Sequence, residues 1–586
     1  MAFILRQDKR KKGIYLQMYE NYWDKQLKQP RNKCIESFGY VDDLVSNEIP
    51  DPVAYYQNYV KQLNEKRNRD SDEKTRPKAF TKQVEFSVGH FLLCSLIDEL
   101  GVKKDIDILA SVRRFQFSIF DLLSQLIYAR VLYPCSKAKT VSTVFPSLFN
   151  GTYISEDQVY DGIYFIGNNY KKYIELFNYH YAQTCPRNFN NVYFDCTNYY
   201  FEIDLPHDDL QKGCSKENRT EPIIGQALLL DADLIPLSMQ MYPGNESEKP
   251  YIRKIIEEMK TRNKVKGRTV QVADKGLNCA RNIYSAVKEA NDGYIFSKSV
   301  HGTNLCDADK KWVLLEDENN VFEEFRDKNG KLLFKLKTDT DIYDYSFEEI
   351  DPETGTKKNV RFQTKEKRIV SYNPSLAAKR KAEILKMVDK ASGQISYKSI
   401  LKSELGDSSK YIKITNTDKA GNKINPRFEL NTEAIEDDLK FAGYNMIVTS
   451  EINMSPLEVY KTYHSLWKIE ESFRITKSYL DARPVFLQKK ESIYGHFLVC
   501  YLALFLIRIL ELKCFSDSSV NAFDLISFMQ DFKVADCGDD RYLNLSQNQK
   551  LNLLLKDLTG FSFLDAAFLT KKEINSLFQN IDLLPF

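Results

Sequence analysis

The sequence lacks the features of disulfide-bonded and zinc-binding proteins. Its eleven cysteines are an odd number, scatter from Cys34 to Cys537, and include no CxxC pair. This argues against both a disulfide framework and a zinc site, and it favours a reducing, cytoplasmic environment. The six histidines do not cluster, and no internal repeat is visible.

Long apolar runs are also missing. The most apolar run, Phe497–Ile507, is too short to span a bilayer and lies between His496 and Arg508, so it predicts a buried helix. The amino terminus, MAFILRQDKRKKG, lacks the apolar stretch of a signal peptide. With 586 residues, 43% hydrophobic and 13% aromatic, the chain is expected to be a large soluble protein of roughly three to five domains.

Charge is unevenly distributed along the chain. The net charge is only +2, but residues 1–150 contain 24 Lys and Arg against 18 Asp and Glu. The first 150 residues therefore have a net charge of +6, and the remainder has −4. A basic amino-terminal part indicates a polyanionic partner there.

Residues 1–185 change from β-like to helical patterns. Residues 1–63 open with two alternating runs around a basic turn and predict a small β module with a hairpin. Residues 64–85 are highly charged and predict a linker. Residues 86–185 have helical spacing and predict a helical DNA-binding region, although ordinary surface cations remain an alternative. Its candidate contacts are Arg113, Arg114, Arg130, Lys137 and Lys139.

Residues 186–300 have the pattern of a mixed α/β core. Three strand-like runs (VYFDCTNYYFEID, IIGQALLLDAD, LIPLSMQMYPG) precede alternating helices and strands, which predicts a mixed sheet with helices packed on it. Asp195 follows the apolar run Val192–Phe194, and Asp274 follows Val270–Ala273. A lone Asp at a strand end is usually a turn or cap residue. Two such residues on strands that could be neighbours favour a shared functional site over two separate turn residues.

The remaining segments interrupt and complete this core. Residues 301–440 contain the turn signals DKNG, DPETG and DKAGN between alternating runs, and they predict a β-rich insertion. Residues 441–515 predict one more strand, GYNMIVTS, followed by a helix with Glu470 and the apolar helix. Residues 516–586 predict a region of short helices.

The stretch YHSLWKIEESFRITK is expected to form a helix with two different faces. Its polar stripe consists of Tyr463, Trp467, Glu470, Arg474 and Lys477, because their spacings are 4, 3, 4 and 3. The apolar stripe, with which the helix can dock on a core, consists of Leu466, Ile469, Phe473 and Leu480. The polar stripe is either a site where a metal ion meets a phosphate backbone or a solvated face with ion pairs such as Glu470–Arg474.

These motifs together resemble the DDE transposases of bacterial insertion sequences, in particular the branch with the signature Tyr-x2-Arg-x3-Glu-x6-Lys. The resemblance covers about residues 190–515. It rests on the Tyr463 to Lys477 block, on the acids in YFDCTN and VADKG, on GNESE after a strand, and on ARPVF followed by GHFLVCYLALFLIRIL. One position departs from the signature, because Leu466 occupies the place of its Arg.

The resemblance implies a ribonuclease H-like sheet interrupted by the β-rich insertion. It also implies that Asp195, Asp274 and Glu470 are catalytic ligands of Mg²⁺, for which Mn²⁺ can substitute, and that Tyr463 and Lys477 serve the phosphate backbone. Arg474 is a further candidate for DNA contact that could compensate for Leu466. Two Mg²⁺ ions roughly 3.5–4 Å apart can activate an attacking oxygen and stabilise a leaving one, which suits carboxylate ligands.

The sequence therefore predicts a multidomain α/β, cut-and-paste DNA transposase. The expected partners are double-stranded DNA, as terminal inverted repeats and target, and a second copy of the chain in a synaptic homodimer. The expected location is the bacterial cytoplasm, at the nucleoid when DNA is bound. The alternatives are a catalytically decayed DNA-binding regulator, for which Leu466 would be an early sign, and a stand-alone ribonuclease H-like nuclease. A carboxylate glycosidase could also use paired acids, but the basic residues argue against it.

Overall fold

The computed structural model of the protein describes residues 3–24, 29–46, 49–75, 84–217, 219–300, 305–318, 320–351, 354–395, 406–417, 423–516, 518–546, 548–579, 581 and 583–584. It divides into two units, residues 1–83 and 84–586, and each is described by itself. The domain limits predicted from the sequence are finer than this division and remain a prediction.

Unit one is a three-stranded antiparallel sheet with two helices. Its strands are β1 (Phe3–Arg10), β2 (Gly13–Asp24) and β3 (Gln29–Tyr40), and its helices are Val41–Ser46 and Pro52–Thr75. β1 and β2 form the predicted hairpin, in which Arg10 pairs with Gly13. The linker predicted from residue 64 is instead helical as far as Thr75, because its Glu, Lys and Arg residues favour a helix. Residues 76–83 of that linker lie outside the described residues.

Unit two begins with the predicted helical region. Its helices are Phe91–Leu100, Lys103–Ala110, Ile119–Leu132, Lys137–Lys139, Phe145–Ser147, Glu156–Asn168 and Tyr170–Thr184, with a π-helical turn at Thr140–Val144. The first of them ends at Gly101, whose φ of +68° is the left-handed conformation that glycine adopts most easily. Ser118 caps the helix Ile119–Leu132 by accepting the Asp121 N–H at 3.1 Å.

A nine-stranded mixed sheet forms the centre of unit two. The strands expected from residues 186–300 are all present: β5 (Asn191–Tyr200), β6 (Ile223–Leu230), β7 (Pro236–Pro243), β8 (Val270–Ala273) and β9 (Gly293–Lys298). The helices between them are Tyr251–Arg262 and Ala280–Tyr284, with a π-helical turn at Ser285–Glu289. β8 is parallel to both β5 and β9, whereas β6 is antiparallel to both β5 and β7.

The segment predicted as a β-rich insertion extends this same sheet. It contributes β10 (Glu323–Arg326), β11 (Leu332–Ile350) and β12 (Lys357–Tyr372), and β12 pairs with β15 (Tyr444–Thr449). The order of the whole sheet is β10-β11-β12-β15-β9-β8-β5-β6-β7. DKNG connects β10 and β11 as predicted, whereas residues 352–353 of DPETG and all of DKAGN lie outside the described residues. A separate hairpin is formed by β13 (Ile412–Thr417) and β14 (Lys423–Leu430). The helices of this part are Asp307–Leu314, Pro374–Ile395 and Thr432–Lys440.

The apolar helix predicted near residue 500 is longer than its apolar run. It spans Lys490–Ile509 and continues as a π-helical turn to Cys514. By length and composition its 25 residues could cross a membrane, but 94% of its most apolar window is buried inside the protein. It packs closely on the helix Glu156–Asn168, because a Cβ on Gly167 would lie 1.7 Å from the Glu491 carbonyl oxygen. The predicted helical region thus shares one core with this helix.

The carboxyl-terminal region is not purely helical. The predicted helices are present as Ala522–Asp531 and Lys571–Leu577, together with Gln549–Thr559. Between them lie three short strands, β16 (Lys533–Asp536), β17 (Arg541–Asn544) and β18 (Phe568–Thr570). These strands form a four-stranded sheet with β4 (Glu85–Ser87), in the order β18-β17-β16-β4. Strands of three or four residues give too little sequence pattern to be recognised.

Candidate active site

Asp195 and Asp274 lie side by side on neighbouring strands. β5 and β8 are parallel, and their register pairs Phe194 with Ala273. The next residue along each strand is an aspartate, so both carboxylates project at the same level of the sheet. Asp195 lies within β5, which continues to Tyr200 against β6, whereas Asp274 follows the last residue of β8.

Asp195 is half-buried and surrounded by charged groups. Its Oδ1 accepts the Cys196 N–H at 2.7 Å and lies 3.8 Å from the Lys216 ammonium. Burial raises the pKa of Asp195 to about 6; Lys216 and the Cys196 N–H oppose this shift, and the charges of Glu248 and Asp274 add to it. The fold therefore holds the Asp195 carboxylate in an environment that disfavours its ionised form, as is common at functional sites.

Asp274 is exposed and accepts a hydrogen bond from Tyr463. The Tyr463 hydroxyl donates to Asp274 Oδ1 at 3.0 Å. Burial raises the pKa of Tyr463, and the charge of Asp274 raises it further, so the hydroxyl keeps its proton. The structure thus brings together one predicted metal ligand and one predicted phosphate contact.

The stretch from Tyr463 to Lys477 is not one continuous helix, which corrects the sequence prediction. Helix Pro456–His464 ends before Ser465, and helix Trp467–Arg474 follows, with a π-helical turn at Ile475–Tyr479. At the break, the Leu466 N–H bonds to the Tyr463 carbonyl at 3.0 Å, three residues back rather than four. The Ser465 hydroxyl also bonds back to the Lys461 carbonyl, an interaction that commonly bends helices.

Glu470 lies on the exposed side of helix Trp467–Arg474. Its pKa is raised because the surrounding protein removes part of its water and because the charge of Asp274 opposes its ionisation. The predicted apolar stripe of this helix is confirmed, since Leu466, Ile469, Phe473 and Leu480 are all buried. The helix therefore docks on the core by one side and carries Glu470 on the other, where the charge of Asp274 reaches it.

The neighbouring acid, Glu471, points into the protein. Its carboxylate lies 2.8 Å from Lys468 and 2.8 Å from Arg508, and Glu511 completes the cluster by pairing with both cations. Arg508 is fully buried and donates further hydrogen bonds to the Ser472 hydroxyl and the Lys468 carbonyl. This buried ion cluster fastens the Glu470 helix to the long helix Lys490–Ile509.

Two charged residues at the site, Lys216 and Glu248, were not predicted as site residues. Lys216 Nζ donates to the Cys196 carbonyl at 2.5 Å and lies 3.2 Å from Glu248 Oε2, so it bridges Asp195 and Glu248. Burial lowers the pKa of Lys216, but the charges of Asp195 and Glu248 outweigh it and raise the pKa above its usual value. Glu248 is the last residue of GNESE, so the motif was visible in the sequence, whereas its approach to Asp195 was not.

An open cavity of about 420 Å³ lies beside Lys216 and Glu248. Gly276, just after Asp274, also lines it, and a Cβ at this position would lie 2.9 Å from Glu248 Oε1. A glycine here therefore leaves room for the Glu248 carboxylate beside the strand acids. The cavity makes Lys216 and Glu248 accessible from solvent.

Lys477 lies in a second cluster, with Glu217 and Arg483. Its ammonium is 3.0 Å from Glu217 and 5.3 Å from the centre of the Tyr199 ring. Arg483 pairs with the other oxygen of Glu217 and lies over the Tyr200 ring. Because Glu217 follows Lys216 in the chain, the two clusters are joined by one peptide bond. Arg483 was not predicted as a site residue, although it belongs to the ARPVF motif.

The remaining predicted DNA contacts fall into two groups. Arg474 is exposed and lies 4.7 Å from the Phe523 ring centre, and Arg113, Arg114 and Lys139 are exposed in the helical region. Arg130 and Lys137 are only 5% and 6% exposed, which corrects their prediction as DNA contacts. Arg130 donates to the carbonyls of Leu480, Asp481 and Cys135.

Lys137 is buried beside a histidine. Its Nζ is 3.3 Å from His496 Nδ1, and His496 Nε2 is 3.0 Å from the Ala482 carbonyl oxygen. Burial, together with the charge of Arg130, lowers the pKa of Lys137 to about 7. Arg130 and His496 thus bind the backbone that follows the Glu470 helix, and their role in this structure is to hold that segment.

The chemistry of the central side chains fits Mg²⁺ or Mn²⁺. Asp195, Asp274, Glu248 and Glu470 are carboxylates, the hard oxygen donors that these ions prefer. Within the described residues, however, no three His, Cys, Asp or Glu side chains converge closely enough to hold a metal ion. Lys216 instead lies between two of the carboxylates. Suitable donors are therefore present, and two of them, Asp195 and Glu248, pair with a lysine.

Comparisons of the sequence and the structure with known proteins do not establish what this site does. No protein-family profile matches the sequence, and no curated protein matches it. Among solved structures, the chain is similar to a piggyBac transposase in a cryo-EM synaptic complex with hairpin DNA, with 11% sequence identity and a TM-score of 0.25. That match covers 79% of this chain and 89% of the other. A likeness of this size carries no statement about activity.

Proposed function

We propose that the protein is a DDE-type DNA transposase of the insertion-sequence kind, which cuts DNA at the ends of its element and joins them to a target. The observation that carries this proposal is the placement of three acids. Asp195 and Asp274 lie side by side on parallel strands, and Glu470 lies on the exposed side of a helix docked on the core, near enough for the charge of Asp274 to raise its pKa. The resemblance in sequence named these same three residues.

The strand order supports a ribonuclease H-like core. Strands β5, β6 and β7 form an antiparallel meander, and β8 and β9 follow on the other side of β5, parallel to it. Helices connect β7 to β8 and β8 to β9. The segment between β9 and the Glu470 helix is long and β-rich, as the resemblance implies, although its strands β10–β12 extend the sheet instead of forming a separate body.

Asp195, Asp274 and Glu470 would hold Mg²⁺ in the proposed reaction. When bound, such ions activate the attacking oxygen and stabilise the leaving one. Tyr463 would orient Asp274 through its hydrogen bond. Lys477 and Arg483 would bind the phosphate next to the one being cut, because Lys477 lies about 10 Å beyond Glu470 along the helix axis. Arg474 is exposed nearby and is a further cation for the backbone.

The reaction would proceed in two phosphoryl transfers. Water attacks a phosphodiester at the element end, the P–O3′ bond breaks, and a free 3′-hydroxyl and a 5′-phosphate result. The 3′-hydroxyl then attacks a phosphodiester of target DNA, one new P–O bond forms and one breaks, and the target strand leaves as a new 3′-hydroxyl. The exposed cations Arg113, Arg114 and Lys139 would bind DNA outside the active site. A homodimer would bring two ends together in the cytoplasm.

An assay of cutting and joining tests this proposal. The probe is a duplex with the genomic segments that flank the coding region, incubated with the full-length protein and a supercoiled plasmid in Mg²⁺. The expected products are nicked ends with free 3′-hydroxyls and plasmid joined to the probe, and EDTA should abolish both. Cutting without joining would identify a nuclease instead. Binding without cutting would identify a DNA-binding regulator, the role for which Leu466 would be an early sign.

A further inference from the structure

The dipeptide Lys216–Glu217 places opposite charges in the two halves of the proposed site. Lys216 puts a cation among carboxylates, because its ammonium lies 3.8 Å from Asp195 and 3.2 Å from Glu248. Glu217 puts an anion among cations, because its two carboxylate oxygens bind Lys477 and Arg483 separately. The two contacts are independent of each other, since they involve four different partner residues.

Each of these charges matches a ligand of the proposed reaction. A cation between carboxylates is the arrangement expected of Mg²⁺. A two-oxygen anion shared by a lysine and an arginine is the arrangement expected of a backbone phosphate. One charged pair in the chain thus satisfies both halves of a site that would otherwise hold unpaired carboxylates on one side and unpaired cations on the other.

The geometry points to a specific role for this segment. We propose that Lys216–Glu217 is an internal stand-in for the metal ion and the DNA phosphate, which occupies the site in the free protein and withdraws when DNA and metal bind. This inference rests on the proposed function and adds to it a form of self-inhibition. It also assigns Glu248 to the site, as the carboxylate that shares the cation position with Asp195.

The attachment of the segment is compatible with its withdrawal. It lies in the connection between β5 and β6, outside the strands. Apart from the ion pairs, its described anchors are few: the Lys216 N–H donates to Asn198 Oδ1 at 3.3 Å, the Glu217 N–H donates to the Ser215 hydroxyl at 3.2 Å, and the Lys216 ammonium donates to the Cys196 carbonyl. Its hold on the site therefore comes mainly from charge, which is what a metal ion or a phosphate can compete for.

The role predicts that removing either charge strengthens binding of the ligand it replaces. Lys216→Ala should bind Mn²⁺ at least about threefold more tightly than the wild type, because no internal cation has to be displaced. Glu217→Gln should bind the flanking-segment duplex in EDTA at least about threefold more tightly, for the corresponding reason. A residue that merely stabilised the loop would weaken both kinds of binding when replaced.

The measurements use the full-length protein. Mn²⁺ binding without DNA is followed by electron paramagnetic resonance, and DNA binding by fluorescence anisotropy. Lys212→Ala and Glu202→Gln, which remove exposed charges from the same connection, are the matched controls and should keep wild-type affinities. Lys216→Arg and Glu217→Asp retain the charges and should bind Mn²⁺ and the duplex as the wild type does. They control for effects of replacing the side chain itself, including misfolding.

Tighter Mn²⁺ binding by Lys216→Ala together with tighter DNA binding by Glu217→Gln would support the inference. Unchanged or weaker binding by either variant would overturn the corresponding half. The same measurements distinguish failure of this inference from failure of the proposed function. If the wild-type protein binds neither Mn²⁺ nor the duplex, the proposed function is wrong, whereas a wild type that cuts and joins DNA while these variants bind no better disproves the stand-in alone.

Discussion

The hydroxyl of Tyr463 donates a hydrogen bond to Asp274 at 3.0 Å and so connects the helix Pro456–His464 to the end of strand β8. A side chain expected to serve the phosphate backbone therefore holds a carboxylate in this structure. Asp274 is one of the acids proposed to hold a metal ion, and its charge also raises the pKa of Glu470, so the position that Tyr463 gives to Asp274 affects both acids. Tyr463 is in this respect a positioning residue.

Tyr463→Phe should slow DNA cutting about tenfold or more, because Asp274 loses the hydrogen bond that fixes its orientation. Stability should fall by only about 1 kcal/mol, the usual net value of one hydrogen bond. Single-turnover cutting of a pre-bound end and thermal melting measure the two effects. Tyr479→Phe is a suitable control, since this exposed tyrosine packs on Phe523. Cutting by Tyr463→Phe at the wild-type rate would show that the hydroxyl does not orient Asp274.

Glu470 and Glu471 should respond in opposite ways to the same substitution. Glu471→Ala removes a carboxylate from the buried cluster and leaves Lys468 and Arg508 with one acid, Glu511, so stability should fall by about 3 kcal/mol. Glu470→Ala removes an exposed carboxylate and should change stability by less than about 0.5 kcal/mol, with loss of cutting. Chemical denaturation of both variants measures the contrast. Equal loss of stability would mean that Glu470 is a structural residue.

Arg130 and Arg114 should separate folding from DNA binding. Arg130→Met leaves three carbonyls without their donor and should lower stability by about 3 kcal/mol, while the folded protein binds DNA within about twofold of the wild type. Arg114→Ala should leave the melting temperature nearly unchanged. It should also reduce the slope of log affinity against log salt by about 0.9, as expected for one phosphate contact. If Arg130→Met instead reduces the salt dependence of DNA affinity, Arg130 is a DNA contact after all.

The raised pKa of Asp195 predicts a pH-dependent cost in stability. Because this pKa is about 6 in the folded protein and lower in the unfolded chain, folding is favoured while Asp195 is protonated. That contribution is fully present below about pH 4 and is lost as the pH rises through 6. Asp195→Asn should therefore be about 3 kcal/mol more stable than the wild type at pH 8 and nearly equally stable at pH 4, in EDTA. A difference that does not vary with pH would contradict the environment described for Asp195.

Sequence reasoning located the parts of the site that lie on regular elements. Asp195 and Asp274 follow apolar runs whose period identifies strands, and the apolar stripe from Leu466 to Leu480 identifies the buried side of the Glu470 helix. These signals are local, because the periodicity of a strand or a helix depends only on residues close together in the sequence. The break at Ser465 was missed, since its cause is a change of hydrogen-bond partner rather than a change of composition.

The parts that were missed depend on contacts distant in sequence. Lys216 lies in an irregular connection, and only the folded chain brings it to Asp195 and Glu248. Arg130 has the charge of a surface residue, but its acceptors include carbonyls about 350 residues away in the chain. The sequence pattern around Arg130 does not indicate that its guanidinium is buried to bind these carbonyls. The insertion likewise extends the main sheet because β12 pairs with β15, a choice that strand pattern alone does not determine.

The most direct test of the proposed transposase is to remove each acid in turn and to measure DNA cutting and DNA binding together. In Mg²⁺, Asp195→Ala, Asp274→Ala and Glu470→Ala should each lose cutting of the flanking-segment duplex while binding it with nearly wild-type affinity, because affinity comes mainly from phosphate contacts. Glu257→Ala, which removes an exposed acid of the helix Tyr251–Arg262, should cut normally. Near-wild-type cutting by any one of the three variants would contradict the assignment of that residue, and with it the three-acid site.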